Sequence, residues 1–222
     1  MIDLDLFPSS AHYVALTDAL DDDLTHYDAL DTNEQDIVSD AVPKRRAEFG
    51  DARWCAHQAL GEMGCPSMDP ILKGEHGMPL WPDGVVGSLT HTTGFRAAVV
   101  ADSSQVRAVG LDAEPAEPVA PGFVETIARP GEIPQLFRLR EAGVECADRL
   151  LFSAKEATFK SWYPMTRRWL EFGDAEVDLR DDGTFLAYLL VRPTPLPFIN
   201  GRWVIRDGIV ITSTHVPQIM TT

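Results

Sequence analysis

The sequence predicts an α+β fold with mainly antiparallel sheets. Three observations carry that reading: helical periodicity at 43–63 and 147–163, three short strand-like runs between those helices, and a tail in which two Asp-Gly turns each join strand-like segments. The chain has 222 residues, 45% of them hydrophobic, enough for one sizeable core or two small ones. No internal repeat, low-complexity tract or Gly/Ser linker divides it, so residues 1–222 read as a single unit.

The first clear element is a helix from about Pro43 to Met63, with proline in its first turn and Gly64 as its stop. Its apolar stripe is Phe49, Ala52, Ala56, Leu60 and Met63. Arg46 and Arg53 lie two turns apart beside that stripe and face the body of the protein. Guanidiniums so placed either snorkel to water or hold an anion. Next, "GVVGSLTHT", "FRAAVVA" and "VRAVGLDAE" read as successive antiparallel strands, with turns at Thr93-Gly94 and at 102–104. Residues 115–147 read as loop followed by helical pieces. A helix from about Ala147 to Tyr163 follows, ending where Pro164 forbids continuation. The tail reads as two hairpins turning at Asp182-Gly183 and Asp207-Gly208.

A net charge of −15, from 34 acidic and 19 basic residues, lacks the basic footprint of a nucleic-acid binder. Local basic clusters stand out at "PKRR" (43–46) and "TRR" (166–168). The amino terminus shows no basic leader followed by an apolar run, and no stretch reaches the roughly 18 apolar residues of a membrane span, so a cytoplasmic protein is expected. Cys55, Cys65 and Cys146 are odd in number and lack C-x-x-C spacing, and are expected to be core thiols.

Chemistry enters with "GLDAE" (110–114). In an extended segment Asp112 and Glu114 share one face, their Cα atoms about 6.6 Å apart, so they either converge on a cation or mark a solvated strand end before Pro115. On the second helix, Phe152, Glu156, Phe159, Lys160 and Tyr163 share one side, and Ala154, Ala157, Thr158 and Ser161 the other. Charges beside aromatics, opposite a small and weakly polar face, break the ordinary amphipathic rule, and Glu156 is expected to point inward. A buried carboxylate needs a cation, and an i,i+4 pair with Lys160 is worth only about 0.2–0.5 kcal/mol. A metal shared by Asp112, Glu114 and Glu156 would suffice, and oxygen ligands completed by water and phosphate suit Mg²⁺. Mg²⁺ points to a polyphosphate ligand, with Arg46, Arg53, Lys73, His91 and Lys160 to hold it. His91 also reads as a satisfied core histidine, and the Gly-flanked loop of Lys73 in "LKGEHG" either as a backbone anion cradle or as a plain turn.

These residues carry a family resemblance. "VGSLTHTTGFRAAVV", "VGLDAEP" and "RLLFSAKEATFKSWYP" resemble the three signature blocks of the Sfp/EntD-type phosphopantetheinyl transferases, and "ILKGEHGMPLWPDG" resembles the segment before them. The likeness is closest to the actinobacterial branch and runs from "PKRRAEF" to "GRWVIRDGIVIT". Its most specific part is D-x-E followed about forty residues later by F-S-x-K-E-A-x-x-K.

The resemblance implies a pseudo-twofold fold of two similar halves, near 1–110 and 111–222, with coenzyme A and Mg²⁺ bound between them. It implies transfer of 4′-phosphopantetheine from coenzyme A to a serine of an apo acyl or peptidyl carrier protein of fatty-acid, polyketide or peptide synthases, releasing adenosine 3′,5′-bisphosphate. Asp112, Glu114 and Glu156 match the metal carboxylates; Lys73, Gly74, Glu75, His76, Thr90 and His91 match coenzyme-binding segments. Arg46 and Arg53 match basic residues near the coenzyme's phosphates, and Lys160 the helix lysine at the pyrophosphate. Glu156 is the expected base, with Asp112 and Lys160 in the catalytic set. The nucleophile belongs to the partner, and no G-x-S-x-G, Walker A or H-E-x-x-H pattern occurs in this chain. A monomer is expected, without nucleic-acid or membrane partners. Carrier docking is expected on Arg129, Arg138, Arg140 and the Phe123–Phe137 stretch, or on Trp162, Tyr163, Arg167 and Arg168. A coenzyme A pyrophosphate hydrolase and a coenzyme A-binding regulator are the rival readings.

Overall fold

The structure, a computed structural model, describes residues 6–65 and 69–218. The chain divides into two units: one takes in the chain up to Val109 and again from Pro217, the other spans Gly110–Val216.

In the first unit, β1 (Ala11–Ala19), α1 (Thr25–Asp28) and α2 (Thr32–Asp36) precede α3 (Pro43–Glu62), β2 (Val85–Thr92) and β3 (Gly94–Asp102). The three strands form an antiparallel sheet in the order β1-β3-β2. α3 packs across it, with Cys55, Ala56, Ala59 and Leu60 meeting Ile71, Ala98 and Val100. The helix starts on Pro43 and stops before Gly64; of its predicted stripe Phe49, Ala52, Ala56 and Leu60 are buried and Met63 is half-buried.

The second unit takes most of β4 (Val106–Pro115), then α4 (Val124–Ile127), α5 (Ile133–Glu141), α6 (Ala147–Thr166), β5 (Ala175–Leu179), β6 (Thr184–Leu189), β7 (Phe198–Arg206) and β8 (Ile209–Pro217). Its five-stranded sheet runs β4-β8-β7-β6-β5. Both expected tail hairpins form, as β5–β6 and β7–β8. Asp207 and Gly208 both take positive φ, the pairing that a two-residue hairpin turn needs to match the strand twist. Leu136, Leu139, Leu150, Leu151, Val177, Leu179, Phe185 and Val210 make the core. At the edge strand β5, side chains replace a neighbouring strand: Gln135 Nε2 donates to the Val177 carbonyl (2.5 Å), and the Leu179 N–H donates to Gln135 Oε1 (2.8 Å).

Several sequence expectations are corrected. The strand-like runs of 85–115 are not three successive partners: β2 and β3 pair, but β4 joins the other sheet beside β8. The second edge of β3 is taken by β1, a strand not among the sequence expectations. Pro164 does not end α6, which runs on to Thr166 and caps on Arg167 in the left-handed region (φ 56°). A proline this near the end removes one hydrogen bond, and the last turn is carried by Arg167 N–H to the Tyr163 carbonyl (2.8 Å) and Thr166 Oγ1 to the Trp162 carbonyl (2.9 Å).

The burial of α6 is also largely the reverse of the expectation. Ala154, Ala157, Thr158 and Ser161 are fully buried, whereas on the face expected to point inward only Tyr163 is buried and Phe152, Glu156, Phe159 and Lys160 are half-buried. The cause is the closeness of helix and strand: a Cβ on Gly110 would stand 2.0 Å from the Ala157 carbonyl oxygen, so only small side chains fit between them. Their hydroxyls find partners there, Thr158 Oγ1 on the Ala154 carbonyl (2.7 Å) and Ser161 Oγ on Thr214 Oγ1 (2.6 Å). The cysteines are free thiols, Cys55 and Cys146 in the core and Cys65 half-buried. Among the described residues no helix is long and apolar enough to cross a membrane.

Candidate active site

In the second unit, β4 and α6 bring together the strongest group of predicted residues. Asp112 is 5% exposed. Its Oδ1 accepts from Lys160 Nζ (2.8 Å) and its Oδ2 from Ser153 Oγ (2.8 Å), and Ser153 in turn meets Thr212 Oγ1 (2.8 Å). Lys160 Nζ also donates to the Leu111 carbonyl (3.0 Å), so its position is set by backbone as well as by charge. Two residues along the strand, Glu114 Oε2 accepts from Arg149 Nη1 (3.0 Å). Arg149 and Ser153 are site residues that the sequence reading missed. Arg149 stands seven positions before Glu156, so helical spacing alone puts both on one face of α6.

Burial pushes the Glu156 carboxyl above the usual glutamate range, with Asp112 adding to the rise and Lys160 opposing it. Glu114 is raised for the same first reason and by Asp112, against the pull of Arg149. The three carboxylates therefore sense one another, but they are not drawn into one nest. Among the described residues, no group of three or more His, Cys, Asp or Glu side chains is placed to hold a metal ion. Each of two acids has its own cation, Asp112 with Lys160 and Glu114 with Arg149, and like charge keeps the carboxylates from closing on one another.

Glu156 also lines a groove with Lys155, Phe159, Trp169, Leu170, Phe172 and Ala175. Phe159 meets the exposed Trp169 edge-on (4.8 Å between centroids), and Phe152 leans on Phe172 (5.8 Å). The result is an apolar slot opening beside a half-buried carboxylate. Trp169 and Leu170 follow α6 in irregular chain and Phe172 opens a single 3₁₀ turn, so no periodicity marks them in the sequence.

In the first unit, Arg46 is half-buried with its guanidinium 5.9 Å from the Tyr27 ring centre, and its Nε finds no hydrogen-bond partner among the described residues. Arg53 is 4% exposed, lies over the Phe49 ring (4.6 Å) and has Nε 3.6 Å from Glu34 Oε1. Burial pulls its guanidinium down to about 10. Glu34, itself buried, also accepts from the Ile71 N–H (3.1 Å) and faces His57 Nε2 (3.1 Å), so Arg53 belongs to an interior ion cluster more than to an open anion site.

His91 is exposed rather than core, 2.7 Å from Arg45 Nη1, an arginine that the sequence reading passed over. Thr90 is buried, and Lys73, Glu75 and His76 are exposed. The Gly74 N–H donates to the Met78 carbonyl (2.7 Å) and the Gly77 N–H to Gly74 (3.2 Å). Those two amides are used within a tight turn. Of the docking candidates, Trp162 and Tyr163 are buried, Arg129 pairs with Glu176 and Arg140 with Asp148, while Phe137 and Arg138 are exposed.

Two family models match the chain: the 4′-phosphopantetheinyl transferase N-terminal domain over residues 33–101 and the 4′-phosphopantetheinyl transferase superfamily over residues 108–212. Across 190 residues the chain is 43% identical to 4′-phosphopantetheinyl transferase PptT of Mycobacterium tuberculosis, covering 81% of this chain and 83% of that relative. It is 45% identical over 211 residues to 4′-phosphopantetheinyl transferase Svp of Streptomyces mobaraensis (91% and 83%). It is 43% identical over 194 residues to 4′-phosphopantetheinyl transferase Npt of Nocardia iowensis (81% and 86%). The second family match contains Asp112, Glu114, Arg149, Glu156 and Lys160.

Proposed function

Because this chain belongs to the 4′-phosphopantetheinyl transferase superfamily, we propose that its Asp112, Glu114, Glu156 and Lys160 cluster moves 4′-phosphopantetheine from coenzyme A to a serine hydroxyl of an apo carrier protein. The observation that carries the reading is the Asp112–Lys160 pair at 2.8 Å with two further carboxyls, Glu114 and Glu156, held above the usual glutamate range by burial and by Asp112, and with Glu156 lining an apolar groove.

The groove of Phe159, Trp169, Leu170 and Phe172 takes the pantetheine arm, and Lys160 meets the pyrophosphate. Glu156, ionised, accepts the proton of the carrier serine. The serine oxygen then bonds to the β-phosphorus, the bond from that phosphorus to the bridging oxygen breaks, and adenosine 3′,5′-bisphosphate leaves with the electron pair. Arg46, Lys73 with Gly74, Glu75 and His76, and Thr90 with His91 are assigned to the adenosine and its phosphates, whereas Arg53 stays in the interior cluster with Glu34. Arg46 is the best supported of them: its buried Nε has no hydrogen-bond partner among the described residues, whereas the equally unbonded Arg53 Nε faces Glu34 Oε1 at 3.6 Å.

The donor set fits Mg²⁺, a hard cation that is commonly held by one or two carboxylates plus substrate phosphates rather than by an all-protein cage. Asp112, Glu114 and Glu156 supply such oxygens, and the ion would neutralise charge on the phosphoryl oxygens. The two family matches lie side by side in one chain, which supports a monomer, and three free thiols suit the reducing cytoplasm.

The test is mass spectrometry of apo acyl and peptidyl carrier proteins incubated with the protein, coenzyme A and Mg²⁺. A gain of one phosphopantetheine arm, lost with EDTA, is expected. Coenzyme A cleaved without carrier modification would instead indicate a hydrolase.

A further inference from the structure

Lys155 and Glu132 are charged residues in the interior of the second unit that the proposed chemistry does not use. Lys155 is 3% exposed and Glu132 is fully buried. An ammonium has three donors, and all three of these are taken: Glu132 Oε2 (2.8 Å), the Phe172 carbonyl (2.8 Å) and the Ala175 carbonyl (3.1 Å). Glu132 is equally committed, its Oε1 accepting from the Val177 N–H (2.6 Å) and its Oε2 from the Arg129 N–H (2.6 Å). Lys155 thus has no donor left for a phosphate.

What it joins is specific. Phe172 and Ala175 form one wall of the groove, and Lys155 adjoins Glu156 on the other. We propose that the Glu132–Lys155 pair is a latch that holds the 172–175 wall against α6, fixing the width of the groove and the position of Glu156. Both are positioning residues. This rests on the reading that the groove takes the pantetheine arm.

Removing one charge alone leaves the other buried without its partner, so the test uses the paired variant Glu132→Gln with Lys155→Met, which keeps both shapes while withdrawing the donors from the two carbonyls. With circular dichroism unchanged, kcat/KM for coenzyme A is expected to fall on the order of tenfold or more, through a raised KM as well as a lowered kcat. Inhibition by adenosine 3′,5′-bisphosphate, which has no pantetheine arm, is expected to be unchanged. A residue that serves stability alone would lower the melting temperature without this split between the two ligands.

Trp169→Ala is measured alongside. If it weakens use of coenzyme A and the paired variant does not, the latch is overturned and the groove stands. If neither variant moves, the groove reading falls and the latch falls with it. Equal loss of coenzyme A use and bisphosphate inhibition marks general loosening and also overturns the latch.

Discussion

Lys160 Nζ stands 2.8 Å from Asp112 Oδ1 and 3.0 Å from the Leu111 carbonyl, which pins α6 to the strand that carries both acids. Its Lys160→Met variant leaves the buried Asp112 with Ser153 as its remaining side-chain donor here. We expect a loss of about 1.5–3 kcal/mol in urea unfolding, the range for a hydrogen bond to a charged group, together with a larger loss of transfer rate. An unchanged urea midpoint would show that solvent replaces the ammonium.

Glu156→Gln keeps shape but cannot accept a proton. The fold and most coenzyme A affinity are expected to survive while kcat falls by about 10²–10⁴. Near-normal turnover would remove Glu156 as the base.

Gly110→Ala puts a methyl 2.0 Å from the Ala157 carbonyl oxygen, a backbone atom that cannot swing aside. The expected cost is about 3 kcal/mol or more, read in thermal or urea unfolding, with reduced activity because the displaced helix carries Glu156 and Lys160. A variant as stable as the parent would mean that β4 and α6 separate freely.

Asp21 is held below its ordinary value of 3.8, first by its hydrogen bond from Lys44 and then by that from the fully buried Arg96. Its folded value is depressed, so its contribution to stability is present above the unfolded value and fades as pH falls below 3.8 toward the folded one. Asp21→Asn should therefore lower the melting temperature at neutral pH and flatten that part of the acid decline. Parallel acid profiles for parent and variant would contradict it.

Chelation separates architecture from chemistry. EDTA is expected to abolish transfer to carrier protein while leaving the far-ultraviolet spectrum unchanged, because the acids already have protein cations in Lys160 and Arg149. Collapse of the fold on chelation would assign the metal a structural role.

The elements legible in the sequence were those set by local signals. α3 shows its proline start and glycine stop, and the two tail hairpins show their Asp-Gly turns. What local signals do not carry is which surfaces meet. β1 is recruited by β3, far along the chain, and the buried face of α6 eludes the sequence because an isolated helix carries no sign of how near its sheet will come. The site was legible where chemistry is encoded by residue type, at Asp112, Glu114, Glu156 and Lys160. Arg149, Ser153 and the groove of Trp169 and Phe172 depend on three-dimensional neighbours, as does the interior placement of Arg53.

The side-chain ladder along β5 bears on how the protein behaves in company. A sheet's last strand offers unpaired amides and carbonyls that a strand from another molecule can adopt, and such edges seed aggregation. Here Gln135 and Glu132 occupy the Val177 and Leu179 groups from within the same chain. Concentrated stocks should therefore resist edge-to-edge polymerisation, and substituting Gln135 with an aliphatic residue would reopen that edge and favour fibrous association.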